Sequence, residues 1–230
     1  MRRDIFIATG NVAKLRKSLS ALSDTERGRP GIGVIQGEAG RGKTMAAKEW
    51  HTVNGGIFLR VLEGWSQFGF LQELAFEATG DRPGNTAKCR TSIMSALNES
   101  HTAIIVDEAD RLHMGRIEDL RDVHDMTGCP VILIGEEGFY PKLHARRRVH
   151  SRVVDVVNFD PISAEDVMLF AMQAAALEVT PEACHKLALL AKGSFRVVYG
   201  YILHLEDYAK AQNTNTIDAK AVEALRIGRA

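Results

Sequence analysis

Few folds can accommodate the stretch Gly37-Glu38-Ala39-Gly40-Arg41-Gly42-Lys43-Thr44. An apolar run, Ile32 to Ile35, leads into it and a helix-like segment leaves it, so a buried strand must turn into a helix through glycines. Glycine here lets successive backbone N–H groups face inward around an anion with no Cβ in the way. The helix that starts near Lys43 adds the positive end of its dipole at the same point. This spacing predicts a phosphate-binding loop. Lys43 would reach the β- and γ-phosphates of a nucleotide, and the Thr44 hydroxyl would ligate Mg²⁺. The binding set read from the loop runs Gly37, Glu38, Ala39, Gly40, Arg41, Gly42, Lys43, Thr44 and Met45.

The rest of the chain alternates. Strand-like runs fall at Gly31–Gln36, Gly56–Val61, Ala103–Asp107, Val131–Gly135 and Val153–Asn158. Helix-like stretches lie between them at Lys43–Thr52, Trp65–Thr79, Ala87–Glu99, Ile117–Met126 and Phe139–Arg147. Such alternation predicts an α/β fold, a five-stranded parallel sheet covered by helices on both faces. A helix over 11–22 precedes it, with Val12, Leu15, Leu19 and Leu22 at helical spacing, and Thr25–Gly31 reads as a polar loop. Past Asp160-Pro161 the character changes. Ser163 and Thr180 are N-caps in sequence terms, and further helices near Phe195–Ala211 and Ile217–Leu225 complete a small all-helical region. The expected division is 1–160, nucleotide-binding, and 161–230, a helical lid.

A second motif, Ala103-Ile104-Ile105-Val106-Asp107-Glu108, places two carboxylates at the end of a buried strand. Asp107 at that point can hold Mg²⁺, and Glu108 can polarise the water that attacks a γ-phosphate. Composition narrows the remaining classes. The 29 basic and 29 acidic residues cancel, so any nucleic-acid partner needs a local patch. Three scattered cysteines match no zinc or disulfide spacing, which predicts buried thiols in a reducing cytosol. No stretch reaches the length of a membrane span, and no signal-peptide core is expected at the amino terminus.

The two motifs and the helical lid together resemble the AAA+ ATPases. Within that superfamily the chain is similar to the transposition-helper ATPases, the group of phage MuB and its TnsC and TniB relatives. Phe6-Ile7-Ala8-Thr9-Gly10-Asn11, Arg60-Val61-Leu62-Glu63-Gly64-Trp65, Asp107 to Leu112 and Val131 to Gly135 carry that likeness beyond the loop. The resemblance implies an ATP- and Mg²⁺-dependent ATPase of the cytoplasm. It would assemble with its own copies as a ring or filament on duplex DNA, without sequence preference, and activate a transposase. Helicase loaders and ExeA-like secretion ATPases look similar in their ATPase halves. By the same resemblance Arg196 is a lid arginine on the γ-phosphate, Arg152 an arginine finger for a neighbouring subunit, and Glu136 the nearest polar residue to the first sensor. Thr9 and Asn11 belong to a segment over the adenine. Arg146, Arg147 and Arg148 rival Arg152 as the finger.

Lys142, Arg146, Arg147, Arg148 and Arg152 form a basic run with no acid from Pro141 to Arg152. Such a run can contact phosphates, serve a subunit interface or lie solvated. Arg60, Arg82, Lys88, Arg90, Arg111 and Arg116 are the other basic candidates, and the resemblance turns their loops toward DNA. Trp65, Phe68, Leu71 and Ala75 have helical spacing, which favours a core role for Trp65 over base stacking.

Overall fold

The computed structural model describes residues 5–24 and 31–225, so most of the expected loop at 25–31 lies outside the described residues. In chain order the elements are α1 (Gly10–Ser23), β1 (Ile32–Gln36), α2 (Lys43–Asn54), β2 (Ile57–Arg60), α3 (Gln67–Thr79), α4 (Thr86–Ser100) and β3 (Ile104–Asp107). A 3₁₀ turn at Ala109–Arg111 leads to α5 (Met114–Thr127), β4 (Val131–Gly135), α6 (Phe139–His144), α7 (Arg147–His150) and β5 (Val153–Asn158). The chain then continues through α8 (Ala164–Ala175), β6 (Glu178–Val179), α9 (Pro181–Leu190), α10 (Phe195–Gln212), β7 (Thr216–Ile217) and α11 (Ala219–Ala224).

Five strands make one parallel sheet in the order β2-β3-β4-β1-β5. β3 and β4 are buried along their whole length and β1 up to its last residue, as runs such as Val131-Ile132-Leu133-Ile134 require when helices cover both faces. The helices start and stop at side-chain caps. Ser66 accepts from the Gly69 N–H to open α3, and Gly80 closes it in the left-handed region. Asn85 opens α4 in the same way through the Lys88 N–H. Leu71, Leu74, Ile93, Leu97, Leu120 and Val123 then pack with the sheet into one buried core.

By internal contacts the chain divides into two compact units. Val12–Gly37 and Lys43–Phe159 form the sheet unit. Among the described residues, the helical unit takes those from Asp160 on, together with those up to Asn11 and the loop apex Glu38–Gly42. Its own core joins Ile7 to Ile162, Phe170, Leu187, Val198 and Ile202, and a two-residue parallel pair joins β6, after α8, to β7, after α10.

Four local expectations changed, one being that α5 starts at Met114 instead of Ile117. The helix expected over Phe139–Arg147 is two short ones, because Arg146 leaves helical geometry at φ −108°, ψ 89°. The Ile217–Leu225 segment begins as β7 before turning helical at Ala219. Trp65 precedes α3 instead of starting it; it packs, partly buried, against Phe70 and the core, while Phe68 is exposed.

Candidate functional site

Parallel pairing brings the carboxyl ends of the strands level. Arg60 lies opposite Asp107, and Gln36 opposite both Gly135 and Asn158. The Gln36 carboxamide donates to Asn158 Oδ1 at 2.9 Å and accepts from the Tyr140 N–H at 2.9 Å, which ties the ends of β1 and β5 to α6. At this edge the Thr44 hydroxyl donates to Asp107 Oδ2 at 3.0 Å. Burial pushes the Asp107 carboxyl above the usual carboxylate range, and the Thr44 hydroxyl offsets part of that. A buried carboxylate beside a hydroxyl is a hard-oxygen pair of the kind Mg²⁺ takes, and a cation there would relieve the desolvated charge. The residues present therefore fit the ion, and Thr44 and Asp107 could hold it.

Glu108 follows immediately, with its backbone in the left-handed region at φ 60°. Arg60 Nη2 meets its Oε1 at 2.9 Å, and Arg111 Nε meets its Oε2 at 2.9 Å. Both carboxylate oxygens are thus engaged by guanidinium groups. Sequence reasoning misses this clamp. Its traces there are Arg111, three residues after Glu108, and an arginine ending the strand that pairs with Ile104–Asp107.

Within the loop the Lys43 ammonium donates to the Gly37 carbonyl, and Arg41 pairs with Glu38 at 2.5 Å. Gly40 and Gly42 sit at φ +82° and +89°, which favour glycine. Gly40 has a second reason to lack a side chain: a Cβ there would lie 2.3 Å from Ser194 Oγ. Its carbonyl accepts from the Phe195 N–H at 2.8 Å and the Arg196 N–H at 3.4 Å. The first turn of α10 therefore grips the apex of the loop by main chain, and Ser194, its N-cap, makes no capping bond with its side chain.

The other expected site residues are distributed as follows. The Met45 side chain is exposed on the first turn of α2. Glu136 is exposed at the end of β4, and its N–H donates to Asp110 Oδ1 at 3.2 Å. Asn11 is buried and commits its carboxamide to Asp160, donating to its carbonyl at 2.9 Å and accepting from its N–H at 3.0 Å. Thr9 is half-buried two residues away. Arg196 is exposed. Arg152 forms a fork onto Asp125, Nε to Oδ1 at 2.8 Å and Nη2 to Oδ2 at 3.1 Å. That fork holds the Asp125 carboxyl below the usual range.

A loop of this geometry at the edge of a parallel sheet, with Thr44, Asp107 and Glu108 beside it, defines a P-loop nucleotide-binding protein. Residues 26–143 match the family model described as AAA domain, and the chain belongs to that family. It is 29% identical over 146 residues to the ATP-dependent target DNA activator B of Escherichia phage Mu, a match covering 62% of this chain and 46% of that protein. It is 26% identical over 162 residues to the Mu-like prophage FluMu DNA transposition protein B of Haemophilus influenzae, covering 66% of this chain and 56% of the relative. The chain thus spans about half the length of these relatives. Among solved structures the Thermotoga maritima RuvB Holliday junction branch migration motor shares the fold, with a TM-score of 0.59 at 19% identity, over 99% of this chain and 72% of that one. No helix among the described residues is long and apolar enough to cross a membrane.

Proposed function

We propose that this protein is an ATP-hydrolysing AAA+ ATPase that binds duplex DNA without sequence preference, assembles on it with further copies of itself, and serves as a target-selecting helper to a transposase in the cytoplasm. The observation that carries the ATPase part is the contact of Thr44 with Asp107, one residue from Glu108, at the carboxyl edge of the sheet. The likeness to a phage target DNA activator supports the rest.

In this reading residues 1–160 form the nucleotide-binding domain and 161–230 the lid. Lys43 and the loop amides bind the β- and γ-phosphates, and Thr44 and Asp107 hold Mg²⁺. When bound, that ion draws charge from the phosphoryl oxygens. Glu108, once freed from Arg60 and Arg111, orients and polarises the attacking water. Arg196 serves the γ-phosphate within the subunit, and its own N–H already lies against the loop apex at Gly40. Arg152, released from Asp125, serves a neighbour's nucleotide, since a planar delocalised cation suits charge spread over a transferring phosphoryl group. Contacts to the γ-phosphate from two subunits give ATP a higher affinity for the assembled state than for the single chain, so ATP acts as the assembly switch.

Anisotropy on two unrelated duplexes with ATP, ADP and no nucleotide tests this. Binding should require ATP and be alike on both duplexes. Equal binding in all three conditions would remove the switch, and pull-down with a transposase against a replicative helicase separates the helper role from helicase loading.

A further inference from the structure

Among the described residues, nine of the thirteen arginines are paired with a carboxylate. Arg60 and Arg111 meet Glu108, Arg82 meets Glu73, and Arg90 and Arg116 both meet the buried Asp119. Arg16, Arg41, Arg121 and Arg152 have carboxylate partners too. Among the described residues, only Arg146, Arg147, Arg148 and Arg196 stand in no such pair. Arg196 adjoins the phosphate loop. The other three are consecutive and exposed, with exposed Lys142 one helix earlier.

These cations are carried on a built support. Leu143 and Val149 anchor it in the core, fully buried. The His144 and His150 rings meet edge-on at 4.2 Å, and Tyr140 Oη lies 3.2 Å from His150 Nε2. The Arg146 N–H donates to the Leu143 carbonyl and the His150 N–H to the Arg146 carbonyl, both at 2.9 Å, so the run is fixed at each end. Three neighbouring guanidinium groups repel one another unless an anion lies across them.

We propose that Lys142, Arg146, Arg147 and Arg148 form the surface that grips the duplex phosphate backbone; the inference rests on the DNA-binding reading above. A stretch of one sign with no acid between 141 and 152 matches a uniformly negative polymer. A second copy of this chain matches it less well, because the surface of the sheet unit elsewhere is laced with pairs of opposite sign. The assignment also moves DNA contact away from Arg60, Arg82, Arg90, Arg111 and Arg116, whose guanidinium groups are already engaged.

The test is the salt dependence of duplex binding by the full chain with ATP. For every phosphate that the protein no longer neutralises, the slope of log affinity against log salt should flatten by about 0.9. Arg146→Gln/Arg147→Gln/Arg148→Gln should therefore flatten it by roughly 2–3, equally on unrelated duplexes. Arg147→Gln alone should remove the share of about one phosphate, and Arg82→Gln, whose partner is Glu73, should leave the slope as it is. All of these side chains are at the surface, and thermal melting checks that the variants fold. An unchanged slope in the triple variant overturns the assignment, as does an equal flattening in Arg82→Gln. Loss of nucleotide-driven self-association without DNA, with the slope unaltered, overturns it in favour of an interface between copies. Wild-type protein that binds no duplex at low salt overturns the DNA reading as well, and the wild-type arm alone reveals it.

Discussion

Gly40 is held from two directions, and the two can be separated. A methyl group there meets backbone strain at φ +82° and the Ser194 hydroxyl at 2.3 Å. Left-handed backbone costs a non-glycine residue about 1–2 kcal/mol. Gly40→Ala should therefore destabilise the helical unit, and Ser194→Ala in the same chain should recover only the steric share. A double-mutant cycle by denaturant unfolding measures the coupling; complete additivity would mean that the hydroxyl gives way freely. At the site itself, Lys43→Ala should abolish nucleotide binding, whereas Glu108→Gln should bind nucleotide and fail to hydrolyse it. In the proposed mechanism one residue supplies charge in the ground state and the other acts only on the attacking water. Fluorescent-nucleotide titration beside phosphate release distinguishes them, and wild-type turnover in Glu108→Gln would exclude this glutamate. These residues are readable from sequence because backbone geometry dictates their identity or chemistry dictates their charge. The guanidinium clamp on Glu108 and the Ser194 contact are not, since both depend on which strand or turn lies alongside.

Elements are legible to within a residue or two wherever one physical signal dominates. Val131–Gly135 forms as the pattern predicts, because a buried parallel strand is an apolar run with sharp polar ends, and Val153–Asn158 forms as a valine-rich strand at the edge of the sheet. Ser163 marks the start of α8 because a hydroxyl with an acid three residues on satisfies two backbone donors at once, and both bonds are present. Ser163→Ala should cost about 1 kcal/mol, confined to the helical unit, as seen by hydrogen exchange along α8. Equal protection in the variant would show the cap to be redundant. Signals fail where the cause is less ordinary. α5 starts earlier than expected because an imidazole caps it, His113 Nδ1 accepting from the Gly115 N–H at 3.2 Å. The break at Arg146 has no glycine or proline to announce it. Strand order is illegible altogether, since a run buried on both faces says nothing about its neighbours.

At the scale of the molecule, hydrolysis should need two subunits. Arg152→Ala should be nearly inactive by itself, since a trans arginine contributes ~10³–10⁵ in rate in related phosphoryl-transfer systems. Mixing it with Lys43→Ala should restore turnover at hybrid interfaces, where an intact pocket meets an intact arginine. No rescue at any ratio, with assembly preserved, would transfer the role to Arg146, Arg147 or Arg148. The cysteines report on each unit separately. Cys89 and Cys129 are buried in the sheet unit, and Cys184 in the helical unit, its thiol pushed up to about 11 by burial and secondarily by the charge of Glu165. The strand order also governs how the chain can fold as it is made. β1 is synthesised first, yet its sheet neighbours are β4 and β5. Its nearer partner begins at Val131, about 95 residues after Gln36. At translation rates of roughly 5–20 residues per second, the strand that leads into the phosphate loop waits roughly 5–20 s for a partner. Until then it is an apolar segment with both edges open, which makes it the part of a nascent chain that most needs shelter from aggregation.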